Sequence, residues 1–219
     1  MNLQDIRDYV RSHMDLELED LPDVMLDVFI REGSRKIEYS EQRWPFYERT
    51  ATVATSPSTG TVSLASLGLR KVASVVFDQE PLRWISVEEY DDLWGYYEGR
   101  PTKYAEWEGS ILLGPVPDQA YDLLIRGYRP QDDWVAAGTG AEPDVPEELH
   151  NTVALWALHR AYAQQEDPEM ASFYRAVFDQ ELNEFGRRIT EMPLHRPLVM
   201  GGAALRRRRS RPRYDWEVS

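Results

Sequence analysis

The chain has no cysteine and only four histidines among its 219 residues. The absence of cysteine excludes disulfides, zinc–thiolate sites and thiol catalysis, and it agrees with a reducing compartment. The histidines form no H-E-x-x-H motif, and His150 and His159 would lie about 13 Å apart along one helix, too far to share a metal ion. We therefore predict no metal site and no cofactor. The four histidines are His13, His150, His159 and His195.

Long apolar runs are also absent. No run approaches the roughly 20 residues that a membrane span needs. The opening M-N-L-Q-D-I-R-D-Y-V lacks the basic and then apolar order of a signal peptide. We therefore expect a soluble protein that is made in the cytoplasm and has no membrane partner.

The sequence contains no glycine-rich dinucleotide motif, no phosphate loop and no G-x-S-x-G nucleophile elbow. The acidic pairs Asp91–Asp92, Asp132–Asp133 and Glu147–Glu148 are the nearest approach to acid–base or metal chemistry. Their contexts are an exposed helix, a loop and a helix N-terminus, where acidic residues are favourable in any case. We interpret them as structural and predict that the protein is not an enzyme.

Basic residues are scarce except near the end of the chain. The 25 Lys and Arg residues face 38 Asp and Glu residues, which gives a net charge of −13. Residues 190–219 carry seven arginines against three acidic residues, a net charge of +4, whereas residues 1–189 carry −17. A body this acidic should repel nucleic acid unless the C-terminal segment alone touches it.

The segment 190–219 has the composition of an extended docking arm. Its prolines and glycines prevent a continued helix or a separate core. Its tip carries Tyr214 and Trp216, large anchors that a purely solvated tail, the alternative interpretation, does not need. We predict that the arm docks into a partner. The predicted docking residues are Arg206, Arg207, Arg208, Arg209, Arg211, Arg213, Tyr214 and Trp216.

Apolar residues that recur every three to four positions predict helices at both ends of the body. The first helix spans residues 3–14, and the second has Asp20 as a suitable cap, Pro22 in its first turn and Pro45 as a stop signal. The stripe predicted for this second helix consists of Leu21, Met25, Val28, Phe29, Ile37 and Trp44.

Helices return after a loop at residues 131–144. Asp144 is a suitable cap for the next helix, whose broad apolar arc predicts burial against more than one neighbour. Asp167 is the predicted cap of the last helix, with Pro168 at its first position. The stripe predicted for the last helix consists of Phe173 or Tyr174, Val177, Phe178, Leu182, Phe185 and Ile189.

Between about residues 50 and 130 the pattern changes to short alternating segments separated by turn residues, which predicts strands. They include a hairpin that turns at Gly109, and a short helix is predicted at 87–94. Aromatic residues cluster in this part of the chain, either as a stacking platform for a sugar or base or, as we favour, as core and subunit contacts. The predicted ring or tail interface residues are Trp94, Tyr96, Tyr97 and Trp107.

These patterns together predict an α+β fold. A helical bundle, made of N-terminal helices and a C-terminal helical hairpin, receives a small inserted antiparallel β module and ends in an extended arm. The predicted parts are 1–49 and 131–189 for the helical core, 50–130 for the β module and 190–219 for the basic arm.

Three blocks of sequence resemble the bacteriophage head-to-tail adaptor, or connector, proteins. The first runs from R-D-Y-V-R-S-H-M-D through L-P-D-V-M-L-D-V-F-I-R-E-G-S-R-K-I to R-W-P-F-Y-E. The second is G-R-P-T-K-Y-A-E-W-E-G-S-I-L-L-G-P-V-P-D, and the third is A-L-H-R-A-Y-A-Q-Q-E-D-P-E-M-A-S-F-Y-R-A-V-F-D-Q-E-L. The overall plan is also similar to that of the tail tubular adaptors of short-tailed phages.

The resemblance implies a structural virion protein of the capsid–tail neck, assembled in the host cytoplasm. Such adaptors form a ring, usually of twelve subunits, beneath the portal protein. The ring extends the DNA channel through which the genome passes without specific binding, and it presents a surface to the next neck or tail component. The C-terminal segments of these proteins commonly reach the portal.

A second hypothesis remains open at this level. The run R-R-R-R-S-R-P-R is also typical of a basic arm that binds nucleic acid. Binding of that kind would be weak, strongly salt-dependent and independent of sequence. Portal docking would need the aromatic tip as well, so the two hypotheses differ in the residues that they require.

Overall fold

The computed structural model describes residues 1–14, 20–41 and 43–191. The eight predicted docking residues of the arm lie outside these ranges. Within them the chain forms five α-helices and eight β-strands, which confirms the α+β class. The helices are α1 (Leu3–Met14), α2 (Asp23–Ser40), α3 (Val87–Leu93), α4 (His150–Gln164) and α5 (Pro168–Glu191). The strands are β1 (Glu48–Ala54), β2 (Thr61–Ser63), β3 (Lys71–Phe77), β4 (Glu80–Pro81), β5 (Arg83–Trp84), β6 (Lys103–Trp107), β7 (Ser110–Gly114) and β8 (Asp122–Tyr128).

Helix α4 is the centre of the helical part. It contacts α1, α2 and α5, and nine of its fifteen residues are buried. This confirms the prediction that its broad apolar arc packs against several neighbours. Gly33 on α2 permits the close crossing with α4, since a Cβ there would lie 3.0 Å from the Cβ of Trp156. The order across this part of the structure is therefore α2, α4, α5, with α1 packed over α4.

The ends of α2 differ from the sequence-based prediction. The helix begins at Asp23, and its N-cap residue is Pro22, so Asp20 is not the cap. It ends at Ser40, before the predicted stop at Pro45. Trp44 is not part of the helical stripe, but its indole Nε1 donates a hydrogen bond to the Ile37 carbonyl at 2.8 Å. The backbone has therefore left the helix, while the tryptophan still returns to the same core.

The two C-terminal helices start in different ways. Asp167 accepts a hydrogen bond from the backbone N–H of Met170 at 3.1 Å, and α5 begins at Pro168, as predicted. Asp144 does not cap α4, which follows a short 3₁₀ turn at Glu147–Leu149. Its carboxylate instead accepts two hydrogen bonds from the guanidinium of Arg129. A long-range ion pair has displaced the local cap.

The β part consists of two four-stranded sheets rather than one small antiparallel module. The strand orders are β1-β8-β3-β4 and β2-β7-β6-β5, and β5 pairs with β6 in parallel. One hydrophobic cluster, which includes Val75 and Ile125 of the first sheet and Ile111 and Leu113 of the second, joins the two sheets. The predicted hairpin at Gly109 is confirmed as β6–β7. Strands β1 and β2, although close in sequence, belong to different sheets.

Polar contacts join the helical part to the sheets. Buried Glu38 of α2 accepts a hydrogen bond from Arg70 at 2.6 Å, and Arg129, just after β8, pairs with Asp144. The Arg129 guanidinium also lies 5.3 Å from the centroid of the Tyr47 ring. Burial, reinforced by the carboxylates of Asp144 and Glu38, raises the pKa of Tyr47 far above its ordinary value. The folded protein therefore disfavours the ionised phenolate.

Candidate interaction surfaces

The histidines of the described residues have structural roles. His150 Nδ1 lies 2.9 Å from the N-terminal ammonium of Met1, and its Nε2 lies 3.1 Å from the Val145 carbonyl. His159 Nδ1 lies 2.8 Å from the Ala171 carbonyl and so ties α4 to α5. The described part of the chain contains no group of three or more metal-ligating side chains. His195 lies outside the described residues.

Of the three acidic pairs, Asp132–Asp133 takes part in ion pairs. Asp133 forms an ion pair with Arg31 of α2 at 3.0 Å, and Asp132 lies 3.6 Å from Arg129. The pair with Arg31 links the loop at residues 131–144 to α2. Asp91 and Asp92 are exposed on α3, and Glu147 and Glu148 are exposed in the 3₁₀ turn before α4.

Among the helices that the structure describes, none has the length and hydrophobicity required to cross a membrane.

The predicted aromatic interface residues of the β part lie in two separate places. Trp94, Tyr96 and Tyr97 follow α3, and Tyr97 accepts a backbone hydrogen bond from Val116 at 2.8 Å, close to the end of β7. Trp107 pairs with Ser110 at the opposite end of the β6–β7 ladder. Lys103, at the other end of β6, lies over the ring of Trp94. Since β6 rises about 3.3 Å per residue, Trp107 is roughly 13 Å along the ladder from Lys103. The four residues therefore do not form one compact patch.

Exposure also divides these aromatics. Tyr96 and Tyr97 are 85% and 65% exposed, and Trp107 is 56% exposed. Trp94 is only partly exposed, since it packs against the small cluster of Ile85, Tyr90 and Ala105. The Lys103 ammonium lies 3.8 Å from the centroid of its ring. Tyr96, Tyr97 and Trp107 are thus free to meet a partner, whereas Trp94 supports α3.

Helix α2 presents an apolar stripe that no described part of the chain covers. Val24 is 79% exposed, Val28 is 46% exposed and Tyr39 is 69% exposed. These residues recur at helical spacing, with Arg35 between them, on the side opposite the buried Ile30 and Ile37. We call Val24, Val28, Arg35 and Tyr39 the α2 stripe. Large apolar side chains exposed in a row are typical of a protein contact.

A groove runs beside the α2 stripe. It has a volume of about 600 Å³, and almost all of the surface that lines it is apolar. Arg160 of α4 lies at one edge, 2.8 Å from Glu32 and 5.5 Å from the ring of Phe29. The groove is lined by Pro22, Val24, Met25, Val28, Phe29, Arg160, Ala163 and Gln164.

Helix α5 carries a further exposed apolar residue. Phe173 is 56% exposed and makes an edge contact with Tyr174, whose ring stacks on Tyr162. Gln180 and Glu184, seven and eleven residues further on, are also exposed and lie on the same side of α5. We call Phe173, Gln180 and Glu184 the α5 stripe.

Periodicity predicts Val28 in the core-facing stripe of α2, and this prediction is wrong, since the side chain is 46% exposed. The signal that would have separated Val28 from the core is its spacing from Val24. Both valines lie on the face away from Leu26, Ile30 and Ile37, so α2 has two apolar faces. For α5 periodicity predicts either Phe173 or Tyr174 in the stripe, and the structure packs Tyr174 against the core.

A sequence model of the family described as SU10 adaptor protein matches residues 1–216, nearly the whole chain. No curated protein matches the chain.

Proposed function

This chain belongs to the SU10 adaptor protein family, a family of phage head-to-tail adaptors, and on that basis we propose that it forms a ring beneath the portal at the capsid vertex. The ring has twelve subunits, extends the DNA channel and joins the capsid to the tail. The family match over residues 1–216 is the observation that carries this proposal. The family also indicates a structural rather than a catalytic role.

The surface of the described residues supports a role in assembly. Exposed apolar side chains lie on α2, on α5 and around α3, which gives the subunit several separate contact surfaces. A closed ring with a single kind of subunit needs two different complementary faces on each copy. The net charge of −17 on residues 1–189 suits a channel through which DNA slides without binding.

In this proposal the helical parts, residues 1–49 and 131–189, build the ring, and the β part meets the next neck or tail component. We assign this contact to Tyr96, Tyr97 and Trp107, since they are the most exposed of the predicted interface residues in the β part. Aromatic residues are enriched at the centres of protein interfaces. Trp94 would hold α3 in place rather than touch the partner.

The arm is proposed to dock on the portal protein. Arg206–Arg209, Arg211 and Arg213 supply charge for pairing with carboxylates, while Tyr214 and Trp216 supply anchors that fill pockets. The same arginine run favours the second candidate, a nucleic-acid-binding arm. The two functions differ in whether the aromatic tip is required.

The experiment measures binding of the purified protein to portal rings of the same phage and to duplex DNA, at low and high salt. Exposed ion pairs contribute about 0.2–1 kcal/mol each, whereas a buried aromatic anchor contributes ~2 kcal/mol or more. We therefore expect Trp216→Ala to weaken portal binding more than any single arginine replacement. Replacement of Arg206–Arg209 together should chiefly slow association and reduce its salt dependence.

The opposite pattern would reject portal docking. If Trp216→Ala leaves portal binding unchanged and the arginine replacement abolishes DNA binding at physiological salt, the arm is a nucleic-acid element. Electron microscopy of the portal–adaptor mixture tests the ring itself. A stain or cryogenic image without an added ring on the portal would reject the proposed position in the neck.

A further inference from the structure

We propose that the α2 stripe of one copy packs against the α5 stripe of the next copy, and that this contact closes the ring. The inference rests on the proposed ring and names the surface that builds it. Its occupant is a second copy of this chain.

The two stripes lie on separate surfaces, since the α2 stripe borders the groove between α2 and α4, whereas Phe173 is not among the residues that line this groove. Helix α4 packs extensively against both α2 and α5. The α2 stripe faces away from Ile30 and Ile37, and Phe173 faces away from the buried Phe178 and Leu182 of α5. Two different surfaces allow one subunit to contact a neighbour on each side, as a head-to-tail ring requires.

The apolar parts of the two stripes lie at the same height along the helices. Arg160 of α4 contacts Phe29 and Glu32 of α2, and the adjacent His159 bonds to Ala171 of α5. Val28 is next to Phe29, and Phe173 is two residues beyond Ala171. Since α2 and α5 both run antiparallel to α4, they run parallel to each other. Residues an equal number of positions further along the two helices therefore lie at similar heights.

The polar parts of the stripes then match as well. Seven residues beyond Val28 is Arg35, and seven and eleven residues beyond Phe173 are Gln180 and Glu184. In a ring whose axis is parallel to these helices, neighbouring copies lie at the same height. Val28 of one copy then lies beside Phe173 of the next, and Arg35 lies close to Gln180 and Glu184. The contact therefore pairs apolar with apolar residues and a cation with an anion.

The groove beside the α2 stripe gives Phe173 a place to insert. Its apolar lining, which includes Val24, Val28 and Ala163, is open to solvent in the single subunit. A volume of about 600 Å³ easily holds a phenylalanine side chain. An aromatic side chain that fills an apolar pocket is the usual form of an interface anchor.

The cysteine-free sequence makes a direct test possible. Val28→Cys and Phe173→Cys are combined in one chain, rings are assembled on the portal of the same phage, and a short bismaleimide is added to link neighbouring thiols. We expect a ladder of cross-linked oligomers that extends to the full ring. The matched control, Val28→Cys with Thr59→Cys in the β part, also exposes two thiols and should give no ladder. Both replaced pairs are exposed in the folded subunit.

Each outcome decides a specific point. If rings form but the Val28–Phe173 pair gives no more cross-linking than the control, the inferred contact is wrong and the proposed function stands. If Val28→Cys alone is cross-linked efficiently to itself, the contact is two-fold rather than head-to-tail, and the inference is again wrong. If the unmodified protein forms no ring with the portal, the proposed function fails and the inference fails with it.

Discussion

Gly127 of β8 lies where two strands of the first sheet approach closely. It is paired with Arg49 of β1 and Val72 of β3, and a Cβ at this position would overlap the backbone carbonyl of Lys71. A backbone atom cannot move aside as a flexible side chain can. Replacing a strand glycine by alanine usually stabilises a protein by roughly 0.5–1 kcal/mol. At Gly127 the cost of overpacking should exceed this gain in stability.

We predict that Gly127→Ala lowers the free energy of unfolding by about 2 kcal/mol. Urea unfolding followed by circular dichroism measures this change. Gly140→Ala is the matched control, because nothing lies within 4 Å of the Cβ that it adds. A variant at Gly127 as stable as this control would show that β3 and β8 can separate at no cost.

Glu106 of β6 is a second position where one residue has a measurable effect. Burial raises the pKa of its carboxyl, and the nearby Lys71 and the Val72 backbone hydrogen bond lower the pKa by less. The folded protein therefore disfavours the ionised form. Stability contributed by this group is greatest below the pKa of the unfolded chain and is lost as pH rises through the higher folded pKa.

We accordingly predict that Glu106→Gln raises the melting temperature at neutral pH and that the difference disappears at acid pH, where the glutamate is protonated. Glutamine keeps an oxygen that can accept from Val72. Thermal unfolding of both proteins across this pH range measures the effect. Glu108→Gln, in the exposed turn of the same hairpin, serves as control. Equal melting temperatures of Glu106→Gln and the parent protein at neutral pH would contradict the argument.

At the scale of elements, we expect the fold of the body, which ends with α5, to be independent of the arm. The apolar contacts of α5 with the helical core include Phe178, Leu182, Phe185 and Ile189. We predict that deletion of residues 190–219 leaves the far-UV circular dichroism of the body and its melting temperature nearly unchanged. A fall of more than about 5 °C, on the order of 1 kcal/mol for a domain of this size, would mean that the arm packs on its own body.

At the scale of the whole molecule, charge and partner contacts determine assembly. The −17 carried by residues 1–189 makes copies repel one another, and fixing an arm without a partner has an entropic cost. We predict that the purified protein is mostly monomeric at micromolar concentration and moderate salt, and that rings form on contact with the portal. Sedimentation velocity measures this. A dominant dodecamer in the absence of any partner would disprove the prediction.

The sequence by itself determined the features that depend on neighbouring residues. The order of helices, β part and helical hairpin follows from periodicity. The Asp167 cap and the Gly109 turn each depend on residues within one turn, and the structure contains both. The same local patterns, in their order along the chain, also carried the resemblance to phage adaptors.

Only the tertiary structure decided the features that depend on distant residues. Asp144 has a good local sequence for a cap, but Arg129 offers it a stronger, charged partner. The division of the strands between two sheets is set by long-range pairing of β1 and β3 with β8. Val28 and Phe173 are apolar and lie at the spacing of core residues. Neither packs in the core, because other side chains of α2 and α5 already cover α4. Periodicity identifies apolar faces, and packing determines which of them is left for a neighbouring subunit.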